Sequence, residues 1–162
     1  MAQTKGTYAL VLYLDHETRI VIGRLGTFDL PAGYYLYVGS ALGPGGLEAR
    51  LARHFRAEKR LRWHIDYLLE HAQTVEVWTA PSGGRLVTSA RSGPEPNSSY
   101  SHWAASACQE CQWAEIARGL PGATIPVPRF GSSDCRCPAH LVHFATRPSL
   151  ALFAERIRSS RL

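Results

Sequence analysis

No stretch of this chain approaches the roughly 18 consecutive apolar residues of a membrane-spanning helix, and residues 1–6 lack the apolar run of a secretory leader. Both gaps argue against a membrane partner and lead to the expectation of a cytoplasmic protein. Lysine is nearly missing: Lys5 and Lys59 stand against sixteen arginines, so the formal net charge of +5 is an arginine charge. Cysteine is missing from the first 107 positions, and Cys108, Cys111, Cys135 and Cys137 fall within thirty residues of one another. In a cytoplasmic chain that pattern sets aside a disulfide framework and leaves thiols or metal ligands. No segment repeats, and strands do not alternate with helices along the chain, which sets aside a doubly wound parallel sheet.

At 162 residues the chain has the length of one domain, large enough to bury a core without metal or disulfide help. Residues 8–14 (YALVLYL) read as a buried strand ending at Asp15-His16-Glu17, and residues 19–25 (RIVIGRL) as the returning strand of a hairpin. Residues 34–38 make a third strand, so the opening forty residues form a small meander. A glycine-rich loop, 39–46, leads into a helix from Leu47, with Leu47, Leu51 and Phe55 facing a core. A second helix is expected at 62–70, a strand at 74–79, a third helix at about 106–120, a short strand at 141–145 and a C-terminal helix at 149–158. Residues 81–101, rich in Gly, Pro, Ser and Asn, read as a flexible loop. The expected fold is α+β, a small antiparallel three-stranded sheet with an added late strand, flanked by helices.

A strand that feeds through glycines into a helix bearing a cation and an imidazole suits phosphate, and residues 34–55 (YYLYVGSALGPGGLEARLARHF) have that layout. At about 100° per residue, Arg50 and His54 share one edge of the apolar stripe. Arg53, Arg56 and Arg60 fall on the opposite, solvent side. With Arg50, Lys59 and Arg62 they form a basic cluster, six bases within the thirteen residues 50–62, diluted only by Glu58. Such density suits a polyanion, because arginine offers bidentate contact to phosphate.

These residues also carry a resemblance. Gly6-Thr7-Tyr8, Tyr37-Val38-Gly39 about thirty positions later, and Leu47-x-x-Arg50-x-x-x-His54 resemble the signature of the GIY-YIG nuclease superfamily. The stretches RWHIDYLL (62–69) and FGSSDCRCPAHL (130–141) are similar to an uncharacterised prokaryotic branch of it. The resemblance covers almost the whole chain apart from 81–101. It implies a small antiparallel sheet flanked by helices and hydrolysis of DNA phosphodiesters dependent on a divalent cation, Mg²⁺ or Mn²⁺. It further implies that Tyr8 and Tyr37 lie over one site where a tyrosine helps to activate water, that Arg50 binds the scissile phosphate, and that His54 assists. An unperturbed phenol, with a pKa near ~10, is a poor base; Arg50 and a metal ion would lower it. Where some members place lysine after Tyr-Val-Gly, this chain has Ser40.

A hard cation needs a carboxylate, which the superfamily takes from a glutamate on a later helix. Glu110 has Trp113 and Ala114 three and four positions on, so it borders a buried face, whereas Glu115 has Arg118 and Gly119 there; Glu110 is the first choice and Glu115 the second. Cys108-x-x-Cys111 and Cys135-x-Cys137, followed by His140 and His143, offer a separate tetrahedral Zn²⁺ site. Asp134, Cys135 and His140 also contain the residue types of a thiol hydrolase. His64 and Asp66, two apart on a helix, do not share a face and are expected to act separately, for instance as helix caps or tethers. Three functions remain open on these residues: a metal-dependent endonuclease acting on DNA, a nucleic-acid-binding module of the same fold without catalysis, and a zinc-stabilised interaction domain.

Overall fold

The first strand, β1 (Gly6–Leu14), is apolar on both faces and buried at every position but Tyr13. Such a strand belongs in a sheet interior. In the computed structural model, which describes residues 4–81, 87–90, 109–133 and 135–159, β1 lies between β4 (Gly33–Ala41) and β5 (Gln73–Pro81). The edges are β6 (Val87–Ala90) beyond β5 and β7 (Leu141–Phe144) beyond β4, giving a five-stranded sheet in the order β6-β5-β1-β4-β7 with every pairing antiparallel.

Alternation along β1 divides the core in two. Tyr8, Leu10, Leu12 and Leu14 face a cluster with Tyr37, Leu47 of α1 (Gly46–His54), and Ile65 and Leu68 of α2 (His64–Leu69). Ala9 and Val11 face the other way, against Trp113, Ala114 and Ala117 of α3 (Gln109–Arg118) and Phe153 and Ile157 of α4 (Leu150–Ser159). The fold is therefore α+β, an antiparallel sheet with helices on both faces. No described helix is long and apolar enough to cross a membrane.

Four expectations need correction. The meander does not form, because the returning strand β2 (Thr18–Ile22) pairs only with β3 (Gly26–Leu30), outside the main sheet. Ile20 and Ile22 are buried while Arg19 and Val21 are exposed. A strand with one apolar face suits a hairpin laid on the core, and both edges of β1 are already taken. The sheet has five strands rather than three and a late one. Of the stretch expected to be a flexible loop, Val87–Ala90 pairs with β5, and 82–86 and 91–101 lie outside the described residues. Phe55 does not face the core: it caps α1 and is 40% exposed, while His54 takes the inward position.

Candidate active site

Register decides how the two tyrosines meet. β1 and β4 pair so that Tyr8 stands opposite Gly39 and Leu10 opposite Tyr37. Both rings therefore lie on one face, with centroids 6.4 Å apart. Gly39 leaves the room for this, since a Cβ there would sit 2.5 Å from the Tyr8 hydroxyl oxygen. The glycine of Tyr37-Val38-Gly39, read from sequence as the start of a loop, is the floor beneath Tyr8.

α1 supplies the next pair. His54, in its last turn, is only 3% exposed, and its Nε2 lies 2.6 Å from the Tyr8 hydroxyl. Arg50, one turn earlier, acts electrostatically on the same hydroxyl and lies over Trp63, 4.3 Å from the ring centroid. A neighbouring cation draws the lone pairs of the Tyr8 oxygen toward it, which favours the arrangement with the Tyr8 O–H donating to His54 Nε2. Among the described residues no carboxylate forms an ion pair with Arg50.

Burial dominates the electrostatics here. Desolvation, and after it Tyr37, push the Tyr8 phenol well above its ordinary 10, and Arg50 acts in the opposite direction without winning. Desolvation and then Glu110 raise Tyr37 likewise. Arg50 favours phenolate, as expected, but burial outweighs it, because a buried anion is penalised more than one neighbouring cation stabilises it. Burial, followed by Lys59, holds His54 down at about 4. Its imidazole is neutral at pH 7 and can accept a proton.

Glu110 reaches this group from the first turn of α3, where a carboxylate also suits the helix dipole. Its Oε1 lies 2.9 Å from Nδ1 of His140, the residue preceding β7. Thr7 Oγ1 donates to Gln109 Oε1 at 2.9 Å, which ties the start of α3 to the strand beside Tyr8. Tyr8, Tyr37, Arg50, Trp63, His64 and Glu110 together line a cavity of about 360 Å³, with Ser40 and Arg62 also on its wall. Glu115 does not join them. Five residues further on, and so about 140° round the helix, it is exposed beside Gln112 and Arg156.

The basic cluster divides. Arg56, Arg60 and Arg62 are exposed, as expected for a phosphate-facing surface. Arg53 is not: it clamps the fully buried Asp66 with Nη1–Oδ1 at 2.9 Å and Nη2–Oδ2 at 2.8 Å, and lies 3.8 Å from the Trp63 ring centroid. Lys59 donates to the His54 carbonyl at 2.6 Å and so caps α1. Both were expected to contact nucleic acid. Helical periodicity placed Arg53 on the solvent side, but α2 and the loop before it fold back over that side. Asp66 also accepts the backbone N–H groups of Arg62 and Trp63, each at 2.9 Å, which caps α2. Burial alone would raise its carboxyl, yet Arg53 and these two N–H groups hold it below the usual range.

Sequence reading offered capping or tethering of helix ends for His64 and Asp66, and Asp66 is such a cap. His64 Nδ1 accepts the N–H of Gly131 at 2.8 Å, joining α2 to the 130–141 motif across the cavity. Gly131 has φ of 71°, and a Cβ there would lie 3.0 Å from the Tyr37 ring, so glycine is required twice over. The signal available in sequence for Asp66 was its place at the third position of a short helix; for His64 and Gly131 there was only the motif itself.

Four members of the expected cysteine and histidine cluster meet. Cys108 and Asp134 lie outside the described residues. Sγ of Cys111, Cys135 and Cys137 and a ring nitrogen of His140 all fall within 4.8 Å of one another. His143 is elsewhere, its Nε2 2.9 Å from the Ala32 carbonyl and its ring against Tyr35.

The model of the family described as "Domain of unknown function DUF123" matches residues 7–91 and 94–161, and the chain belongs to that family. No curated protein and no solved structure matches the chain.

Proposed function

We propose that the cavity hydrolyses phosphodiester bonds in DNA, with the GIY-YIG-like arrangement that the motifs imply. One observation carries the reading: four side chains from four elements, Tyr8, Tyr37, Arg50 and Glu110, line one cavity, with His54 behind the Tyr8 hydroxyl, and the arginine there has no carboxylate pairing among the described residues. An unpaired guanidinium at a wall of hydroxyls is an anion subsite. Arg50 binds a non-bridging phosphate oxygen and meets the charge that develops there. Tyr8 orients the attacking water, and as the water loses its proton to the phenol oxygen, the phenol proton passes to His54 Nε2. This relay needs no standing phenolate, which suits a tyrosine raised by burial and a histidine kept neutral. Tyr37 packs beside Tyr8 and holds its ring in register.

The implied divalent cation fits the donor set. Glu110 spends one oxygen on His140, and its second, with hydroxyls and water, offers the oxygen-only surroundings that Mg²⁺ or Mn²⁺ takes with few protein ligands. When bound, the cation supplies positive charge opposite the phosphate. Arg62 on the cavity wall, with Arg56 and Arg60 exposed nearby in sequence, provides a basic approach for the DNA backbone.

The test is cleavage of nicked, flapped and branched DNA with Mg²⁺ or Mn²⁺, comparing wild type with Glu110→Ala and Tyr8→Phe. Wild-type cutting no faster than either variant defeats the reading. A second reading, DNA binding without cleavage, draws on Ser40, which lines the cavity where the resembled nucleases carry lysine. Salt-dependent binding with no cutting by wild type selects it.

A further inference from the structure

We propose that Cys111, Cys135, Cys137 and His140 hold a Zn²⁺ ion, and that this ion, through His140, sets the Glu110 carboxylate at the cavity wall. The four donors come from two separate parts of the chain, α3 and the 135–140 segment. Proximity along the sequence does not explain why Cys111 meets the other three. All four donor atoms lie within 4.8 Å of one another, and Cys135 Sγ is 3.4 Å from His140 Nε2. Tetrahedral zinc, with Zn–S near 2.3 Å and Zn–N near 2.0 Å, calls for a sulfur–nitrogen separation of about 3.6 Å.

The histidine tautomer agrees. Nδ1 faces the Glu110 carboxylate at 2.9 Å and is therefore the protonated nitrogen, which leaves the Nε2 lone pair directed at the thiols. A carboxylate behind a metal-bound imidazole is the usual orienting partner. The turn that carries the cysteines is held from behind: Arg129 donates to the carbonyls of Ser132, Cys135 and Cys137 at 2.6–2.7 Å, and Arg118 of α3 donates to that of Ala139 at 2.8 Å. A polar turn fixed in this way, with three thiols pointed at one imidazole, is a built site. Sulfur donors select a soft or borderline ion and exclude Mg²⁺ and Mn²⁺, so this centre is distinct from the oxygen-lined cavity. Four donors are complete without Cys108.

Cys135, His140 and Glu110 also stand in the order of a thiol nucleophile, its base and its orienting acid. That arrangement uses one thiol, whereas zinc uses all three that meet here.

The test is metal content and cobalt spectroscopy on the full-length protein purified without chelator. About one equivalent of zinc is expected, and Co²⁺ exchanged into wild type should give tetrahedral bands with thiolate-to-cobalt absorption that scales with three sulfurs. Cys108→Ser should keep the ion, and Glu110→Gln should bind zinc about 10- to 100-fold more weakly, as loss of an orienting carboxylate does. The wild-type spectrum needs no variant and so does not depend on whether Cys135→Ser or Cys137→Ser folds. Wild type with no zinc and a single Cys135 thiol alkylated much faster than the other cysteines would overturn the proposal in favour of a nucleophile. Retention of the ion by His140→Ala, or its loss from Cys108→Ser, would overturn the ligand set, and unchanged affinity in Glu110→Gln would break the link to the cavity. None of these measurements involves DNA, so the zinc centre stands or falls separately from the proposed hydrolysis.

Discussion

Arg50 and Arg53 sit three residues apart on one helix, both against Trp63, yet their surroundings differ completely. Arg53 is neutralised by a fully buried carboxylate and ties α1 to α2. Arg50 faces a cavity, lies over Trp63 beside the Tyr8 hydroxyl, and is paired with no carboxylate among the described residues. A buried pair of this kind holds structure, because either partner left alone would be an uncompensated charge. Under the proposed function, the cation kept beside hydroxyls without a carboxylate is the one that meets the phosphate. The helix thus has a structural side and a chemical side, and Trp63 packs against both.

The comparison can be broken most sharply at Asp66. Asp66→Ala strands the Arg53 guanidinium and removes the α2 cap, and about 3–5 kcal/mol of stability should be lost, read as a lower denaturant midpoint at unchanged slope. Arg53→Ala should also destabilise, while the protein that remains folded binds DNA as before.

Arg50→Ala should do the reverse. Folding should change little, and the cleavage rate should fall about 10²- to 10³-fold, as for loss of a group that meets transition-state charge. Single-turnover kinetics on the preferred DNA would show it. If Arg50→Ala instead unfolds the protein and leaves the residual rate intact, the assignment of the two sides is wrong.

pH sharpens the chemical side through His54. Its folded pKa of about 4 lies below the unfolded value near ~6.5. The unfolded chain therefore takes up the proton first. Stability from this group is complete above pH ~6.5 and declines by about 3 kcal/mol as pH falls to about 4. His54→Gln should flatten that part of the stability profile measured by urea titration across the range.

The smallest effect belongs to the exposed cations. Arg56→Ala and Arg60→Ala should each leave stability within about 0.5 kcal/mol and reduce the slope of log affinity against log salt by about 1. A larger loss of stability would move them to the structural side with Arg53.

Much of this molecule was legible before any coordinates. Period-two and helical patterning located β1, β4, β5, β7 and four helices, because burial selects apolar residues at fixed spacing along a continuous segment. Tyr8, Tyr37, Arg50, His54 and Glu110 could be picked out by motif, and α3 could be oriented by the apolar residues three and four positions after Glu110. Pairing between distant strands was not legible. β2 read as the neighbour of β1 because it comes next in the chain, and only the arrival of β4 and β5 on either edge excluded it.

The sequence by itself determined which residues make up the candidate motifs and which faces are apolar, since both are properties of single segments. The tertiary structure alone decided which cations are spent and which are available, why Gly39 and Gly131 are glycine, that His140 and not His143 stands with three thiols, and that burial outweighs Arg50 at Tyr8. Each of those depends on what another segment brings within a few ångströms, and electrostatic energy and close packing are set by that distance rather than by position in the chain.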